Sequence, residues 1–535
     1  MEKKQIGIIG AGISGLLACK YMLSKGFDPV VFEARSGVGG VWVKTVETTK
    51  LQSPKSYYQF SDFPWPPSVT EDFPTQHQVF DYIQSYAQHF DLIKHIRFNT
   101  KVVGIEYDHY HQGLPNDELE MVRSRSLWND NGQPFHGIGK WKVVVQDTLN
   151  NSTEVHQMDF VILSMGRFSD VPNIPEFPPK KGPKAFHGKV IHSMDYAAMD
   201  YQSAANFVKG KQVTVVGFQK YALDIAMECS AANGLENPCR VLYKSEHWNV
   251  PDYHPWGLPL GFLYFNRFSE LLVHKPGQGF LLTLLATMLS PLRWGFSKFV
   301  ESDIKKKHRL GKYGMVPRHS FLHEISSCLI ATVPEKFYDK VEEGSIILKK
   351  SQSFSFCKEG ILVCGADTKA TTAPLNTDLV ILATGYRGDK KLKDIFVSQT
   401  FQDFIAGSPT ETLPLYREII HPRIPQLAVI GFSESISNLY TSEIRCRWLA
   451  ELLDGTFKLP SIKEMENDMA EWDRYMKRYS GKYYRRSCIG ALHIWYNDQL
   501  CKDMGWNPKR KNGFFAELFE PYGPLDYVPV PSTSN

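Results

Sequence analysis

Residues 5 to 33 place a strand, a glycine turn, a helix, a second strand and an acid in direct succession, and few folds accept that order. Gln5 to Ile9 is a short apolar run of β-forming residues. Gly10-Ala11-Gly12-Ile13-Ser14-Gly15 follows, then helix formers from Leu16 to Leu23, and a second β-type run, Pro29 to Phe32, ends on Glu33. Each glycine has a separate steric task. Gly10 permits the tight turn, Gly12 lets a pyrophosphate approach the backbone, and Gly15 lets the helix pack close to the strand. The free N–H groups at the helix start favour phosphate oxygens. Glu33 stands where an acid accepts hydrogen bonds from ribose hydroxyls. The stretch therefore predicts a dinucleotide cradle rather than a bare βα turn.

A second unit of the same kind begins at Lys211. The run KQVTVV to Val216 precedes Gly217-Phe218-Gln219-Lys220-Tyr221-Ala222 and the helical LDIAMECSAA. Ala222 at the third glycine position is compatible with packing. Gln219 replaces the middle glycine, and its side chain is expected to push a pyrophosphate away or to alter the turn. The next β run, from Arg240 to Tyr243, ends on Lys244 where the first unit has Glu33. A cation there favours a 2′-phosphate, so NADPH is preferred over NADH, with Arg240 as a possible helper. The first cradle is assigned to FAD because Gly37-Val38-Gly39-Gly40-Val41-Trp42 follows Glu33. That cluster is similar to the glycine loop beside the flavin diphosphate in two-dinucleotide flavoproteins. Asp159 to Gly166 and Asp378 to Tyr386 each join an acid, an apolar β run and a glycine, as segments do where a chain leaves and re-enters a nucleotide domain.

These units imply an α/β fold with two dinucleotide-binding, Rossmann-like domains, the NADPH domain inserted into the FAD domain. The expected boundaries are 1–170 and 331–535 for FAD and 171–330 for NADPH, with Pro172, Pro175, Pro178 and Pro179 as a hinge. A length of 535 residues suits two to four domains. The 61 basic and 57 acidic residues are too balanced to make nucleic acid the main partner. Nine cysteines (Cys19, Cys229, Cys239, Cys328, Cys357, Cys364, Cys446, Cys488, Cys501) are scattered and odd in number, with no C-x-x-C pair. No metal site is expected from them, and a reducing, cytoplasmic setting is the simpler reading. The most apolar run, Phe280 to Leu289, falls short of the roughly 20 residues of a bilayer span. It is expected to be a buried helix, with a weak membrane-surface contact as the alternative; the basic run Lys305 to Arg309 is expected to be a solvated face.

Phe186-His187-Gly188-Lys189-Val190-Ile191-His192-Ser193-Met194-Asp195-Tyr196 fits F-x-G-x-x-x-H-x-x-x-Y at every fixed position. This resembles the identifying sequence of the flavin-containing monooxygenases, and it lies between the two cradles as it does in that family. Tyr58 to Pro66 and Ile381 to Tyr386 extend the resemblance to nearly the whole chain. Tyr416-Arg417, Ile420-His421-Pro422 and Ser437 to Glu443 make it similar to the plant members, in particular the group containing the pipecolate N-hydroxylase.

The resemblance implies FAD and NADPH as cofactors and O2 as co-substrate. It further implies a C4a-hydroperoxyflavin that oxygenates a soft nucleophile, by N-hydroxylation of an amine or amino acid such as pipecolate or by S-oxygenation of a thioether. It implies that Gly10, Gly12, Gly15, Glu33, Gly39, Gly40 and Trp42 line FAD and that Gly217, Gln219, Ala222 and Lys244 touch NADPH. Gln52 and Asn438 are the expected neighbours of the reacting centre; Gln52 stands roughly where many animal and fungal members have asparagine. His192 is weighted towards a structural role, and the segment His254 to Phe299 is a candidate channel wall. A Baeyer–Villiger monooxygenase and a non-enzymatic FAD-fold binding protein are the rival readings. The missing C-x-x-C argues against a disulfide reductase.

Overall fold

A computed structural model describes residues 3–108, 132–135, 139–364 and 374–528. Two parallel sheets organise it. In the first, β1 (Gln5–Ile9) pairs with β2 (Asp28–Phe32) and β7 (Phe160–Leu163); β3 (Ile96–Arg97) adds beside β2, and β16 (Leu427–Val429) adds beside β7. In the second, β9 (Val213–Val216) lies between β10 (Cys239–Tyr243) and β15 (Leu379–Leu382), with β11 (Ile346–Lys350) and β8 (Lys189–His192) at the edges. The unbroken apolar runs β7, β9 and β15 are buried at every position, as parallel strands covered on both faces must be. Two antiparallel three-stranded sheets accompany them: β4 (Thr100–Asp108), β5 (Lys140–Asp147) and β6 (Thr153–Met158), and β12 (Ser353–Cys357), β13 (Gly360–Cys364) and β14 (Leu375–Asn376).

The second sheet falls in sequence between β7 and β16, so one unit is inserted into the other. Its strands run to Leu382, past the boundary expected at 330, because β11 and β15 complete it. The return to the first sheet is made by β16, a strand of only three residues and too short to stand out as a pattern. The outgoing and returning linkers run side by side: Pro172 bridges Tyr386, Asn173 N–H donates to Gly385 O at 2.9 Å, and Arg387 N–H donates to Val171 O at 2.8 Å.

The helix Ile13–Ser24 packs against the almost wholly buried helix Asn438–Leu453. Between them, the Glu443 carboxylate accepts from Tyr21 OH at 2.7 Å, Ser61 N–H at 2.9 Å, Ser61 Oγ at 2.8 Å and Arg447 at 3.0 Å. Four donors thus satisfy this buried charge, which is the condition under which burial of an ion pair is tolerated.

Two expectations are overturned. The helix Phe280–Met288 is not buried: only Ala286 is covered, and its large apolar side chains face outward. The run is apolar all round, so composition alone could not place it. The cysteines are not all unpaired: Cys328 and Cys488, 160 residues apart, form a disulfide with Cα atoms 5.6 Å apart. Pairing at that separation depends on tertiary placement, which spacing patterns do not reveal.

Candidate functional site

One cavity of about 1410 Å³ runs between the two units, larger than the roughly 300–1,000 Å³ usual for a single small ligand. Gly10, Gly12, Glu33, Gly39, Gly40 and Trp42 line it from the first unit; Gly217, Gln219 and Ala222 line it from the second; Gln52 and Asn438 line it as well. Gly15 and Lys244 are outside the lining.

The glycine turn is built by contacts that leave no room for side chains. Gly10 has φ of +103°, and a Cβ there would sit 2.6 Å from Ser164 O. A Cβ on Gly15 would sit 1.8 Å from Gly10 O, so Gly15 acts behind the cavity by letting the helix approach the turn. Gly12 faces Gly40, and a Cβ on Gly40 would lie 3.0 Å from Gly12 Cα. Glu33, almost wholly buried, accepts from Ala11 N–H at 2.7 Å and from Arg35 N–H at 2.9 Å. It therefore pins the turn as well as presenting a carboxylate to the cavity. Arg35, which the sequence pattern did not single out, donates to Gly40 O at 2.8 Å and ties the second glycine cluster to the first. Trp42 Nε1 donates to Tyr58 OH at 2.8 Å, which fixes the end of that cluster.

The second cradle repeats the first. Gly217 has φ of +137°, and a Cβ there would lie 2.5 Å from Ala383 O, just past β15, as Gly10 meets Ser164 O just past β7. Gln219 sits at φ −107°, ψ −179°, an extended conformation open to any residue, so the missing glycine does not strain the turn. Of the two expected consequences of Gln219, an altered turn is not seen. Lys244 follows β10 as Glu33 follows β2, but it is exposed, and its carbonyl accepts from Gln352. Lys220, at the head of the helix Lys220–Asn233, lines the cavity instead and pairs with Asp224 at 2.6 Å.

Three observations fit these residues to two nucleotides. The helices Ile13–Ser24 and Lys220–Asn233 both start without a side-chain cap, which leaves first-turn N–H groups for phosphate oxygens. Gly12 and Gly40 line the cavity side by side, so close that a Cβ on Gly40 would lie 3.0 Å from Gly12 Cα. The buried Gln219 Nε2 has no protein partner, and a buried donor of this kind calls for an acceptor.

The fixed residues of the F-x-G-x-x-x-H-x-x-x-Y stretch lie outside the cavity lining, although Ser193 between them reaches it, and Tyr196 helps to tie the two units together. A Cβ on Gly188 would lie 2.3 Å from the Phe186 ring and 2.4 Å from Asp378 O. His192 Nδ1 accepts from Met194 N–H at 3.1 Å, and burial pushes its pKa down, so the ring is neutral with its proton on Nε2. Tyr196 OH donates to Glu228 at 2.7 Å, and Glu228 in turn accepts from Thr48 of the first unit at 2.6 Å.

The cavity lining also includes apolar Tyr253, Phe265, Ile325 and Ile330 and a charged cluster. Arg486 pairs with Glu434 at 2.5 Å, and Arg167 approaches the same carboxylate at 3.8 Å over the Phe432 ring. Of the segment His254 to Phe299, Phe265 reaches the cavity and the helix Phe280–Met288 does not. Neither Arg167 nor Arg486 belongs to a readable motif; they meet only because residues 167, 434 and 486 come from three distant stretches.

Among the described residues, His247, His319 and Glu324 form one compact group of metal-ligand types. Burial opposes the charge on Glu324, yet hydrogen bonds from His247, at 2.7 Å, and from His319 hold its carboxyl down at about 2. The group is a hydrogen-bonded brace for the helix Phe321–Ser326, whose Ile325 lines the cavity.

Over residues 3–112 and 129–517 the chain matches the family model described as flavin-binding monooxygenase-like. It is 41% identical over 531 residues to the probable flavin-containing monooxygenase 1 of Arabidopsis thaliana, covering 98% of this chain and 96% of that protein. It is 38% identical over 507 residues to the putative flavin-containing monooxygenase 2 of the same plant, covering 94% and 98%. The fold is also that of a crystal structure of OTEMO in complex with FAD and NADP, with a TM-score of 0.60 at 16% identity, covering 94% of this chain and 98% of that one. A paired cradle of this geometry, matched along almost its whole length, places the chain in the flavin-binding monooxygenase family.

Proposed function

We propose that this FAD- and NADPH-dependent monooxygenase uses O2 to hydroxylate the nitrogen of an amino acid, with cyclic amino acids such as pipecolate as the leading class. The observation that carries the reading is the charged cluster in the cavity lining. There, Arg486 pairs with Glu434, and Arg167 lies 3.8 Å from Glu434 and 3.6 Å from Asp389. The Arg486 guanidinium suits a substrate carboxylate, and the apolar lining suits the carbon frame of a ring.

FAD and NADPH, when bound, supply the oxygen and hydride chemistry itself, so the protein needs no nucleophile or metal of its own. The residues present bind, orient and exclude water. Gly12 and Gly40 admit one pyrophosphate, and Gln219 and the uncapped helix start at Lys220 receive the other. Tyr253, Phe265, Ile325 and Ile330 keep the substrate end dry, which strengthens every polar contact made there. The Gln52 and Asn438 amides offer hydrogen bonds beside the reacting centre; Asn438 Oδ1 is oriented by Ser435 N–H at 3.1 Å.

Substrate-stimulated NADPH oxidation with product mass, across cyclic amino acids, aromatic amino acids and thioethers, tests the reading. A hydroxylated amino acid supports it; turnover of thioethers alone replaces it with S-oxygenation. Arg486→Ala is expected to raise the KM for an amino-acid substrate about tenfold or more, the worth of a charge-assisted hydrogen bond. The same variant should leave the KM for an amine lacking a carboxylate nearly unchanged. Lys244→Glu is expected to raise the KM for NADPH far more than that for NADH; equal effects would remove Lys244 from the 2′-phosphate site.

A further inference from the structure

Two stretches that wall the cavity are joined by a covalent bond. Cys328 lines the cavity and is half-exposed, whereas Cys488, its disulfide partner, is fully buried. Among the described residues this is the only disulfide. It joins the stretch that supplies Ile325 and Ile330 to the stretch that supplies Arg486 and Gly490. The sulfurs sit directly behind the lining: a Cβ on Gly490 would lie 3.4 Å from Cys488 Sγ and 3.6 Å from Cys328 Sγ.

The bond also holds a backbone geometry on which Arg486 depends. Cys328 has φ of +49°, and Ser487, next to Cys488, has φ of +47°. Residues with side chains stay in this left-handed region only where their surroundings hold them. The Cys328 carbonyl accepts from Arg486 Nη2 at 2.9 Å, and the same guanidinium pairs with Glu434. Opening the disulfide frees Cys328 to relax towards an ordinary φ. That relaxation swings the carbonyl and takes away one of the two groups that aim the guanidinium. The stretches themselves stay neighbours, because His323 Nδ1 still donates to Tyr479 O at 3.0 Å. What changes is the aim of one side chain, not the fold.

We propose that the Cys328–Cys488 disulfide is a redox modification site, opened and closed from the cavity by low-molecular-weight thiols of the glutathione class, and that its state sets the position of Arg486. Access selects the sulfur that is attacked. The incoming thiolate bonds to Cys328 Sγ as the bond to Cys488 breaks, and Cys488 leaves as a thiolate and takes up a proton. A second thiolate attacks the added sulfur and releases Cys328, which is protonated in turn. Two thiols thus leave as one disulfide, and the protein gains two electrons and two protons. The oxidised couple reverses each step. The consequence for substrate rests on Arg486 meeting the substrate carboxylate; the redox step itself does not.

The full-length, flavin-loaded enzyme equilibrated with reduced or with oxidised glutathione tests it, with alkylation and peptide mass reading each cysteine. The oxidised protein is expected to yield Cys328 and Cys488 as one linked peptide pair, and the reduced protein to alkylate both. Reduction should raise the KM for a cyclic amino acid by up to about tenfold, the worth of a charge-assisted hydrogen bond. The KM for NADPH and the NADPH oxidation without substrate should not change, and oxidised glutathione should restore the first value. Cys488→Ser should keep the high KM in either buffer. Amide exchange over residues 326–330 and 485–490 should quicken on reduction whichever substrate the enzyme takes, so this arm stands even if no amino acid is turned over. Separate alkylation of both cysteines after oxidised glutathione, or equal exchange of these segments in the two states, overturns the proposal. So does an amino-acid substrate whose KM is the same in both states, or a Cys488→Ser protein whose KM still responds to glutathione.

Discussion

The Gly12→Val protein is expected to purify colourless, with flavin affinity reduced on the order of a hundredfold, because overpacking against a fixed backbone costs about 1–3 kcal/mol. The cause is local. A Cβ at Gly12 would already touch Gly40 Cα at 3.4 Å, and the two further methyl groups of valine would have to enter the cavity that Gly12 and Gly40 line, where the proposed reading puts the flavin pyrophosphate. The change leaves the strand and helix on either side intact, so the folded protein should persist. Visible flavin absorbance per protein, with and without added FAD, measures it. A fully loaded yellow Gly12→Val protein would contradict the assignment of this turn to FAD. Gly15→Val is the uninformative neighbour: its Cβ at 1.8 Å from Gly10 O would break the turn itself, and loss of flavin would then follow from misfolding.

Arg447→Ala is expected to have the largest effect on stability, about 3–5 kcal/mol, the usual result of stripping one partner from a buried ion pair. Side-chain exposure is 4% for Arg447 and 3% for Glu443, so neither charge can turn to water. Arg447 also donates to Tyr21 OH at 2.9 Å and to the Tyr527 carbonyl, so the substitution unties the C-terminal segment along with the helix pair. Against a typical total of about 5–15 kcal/mol, that loss should appear as a lower melting temperature and a smaller soluble yield. Adding Glu443→Gln to Arg447→Ala should restore part of the loss, because the orphaned charge is then removed. Thermal melts of the three flavin-loaded proteins decide it; additive losses in the double variant would show that the pair is not coupled.

Much of this architecture was legible in the residues because its parts are local. The cradle at Gly10 to Gly15 needs one strand, one turn and one helix in sequence, and Gly12 and Gly15 answer to contacts close in the chain, with Gly40 and Gly10, although Gly10 itself meets Ser164 O from a distant strand end. The second cradle was legible for the same reason despite Gln219, whose extended backbone explains why a side chain is accepted there. What escaped reading is assembled from afar. Arg167, Glu434 and Arg486 form one cluster from three stretches, and Cys328 finds Cys488 across 160 residues. The helix Phe280–Met288 was misplaced for a different reason. An apolar run reports that a segment avoids water, and it says nothing about whether protein or lipid provides the shelter.

The paired linkers carry a mechanical consequence. Since residues 171–173 are hydrogen-bonded to residues 385–387, the two crossings between units behave as a single two-stranded strap. A displacement of one crossing is therefore passed to the other, and the inserted unit cannot shift on one linker alone. A proline or glycine placed in either crossing would loosen both at once.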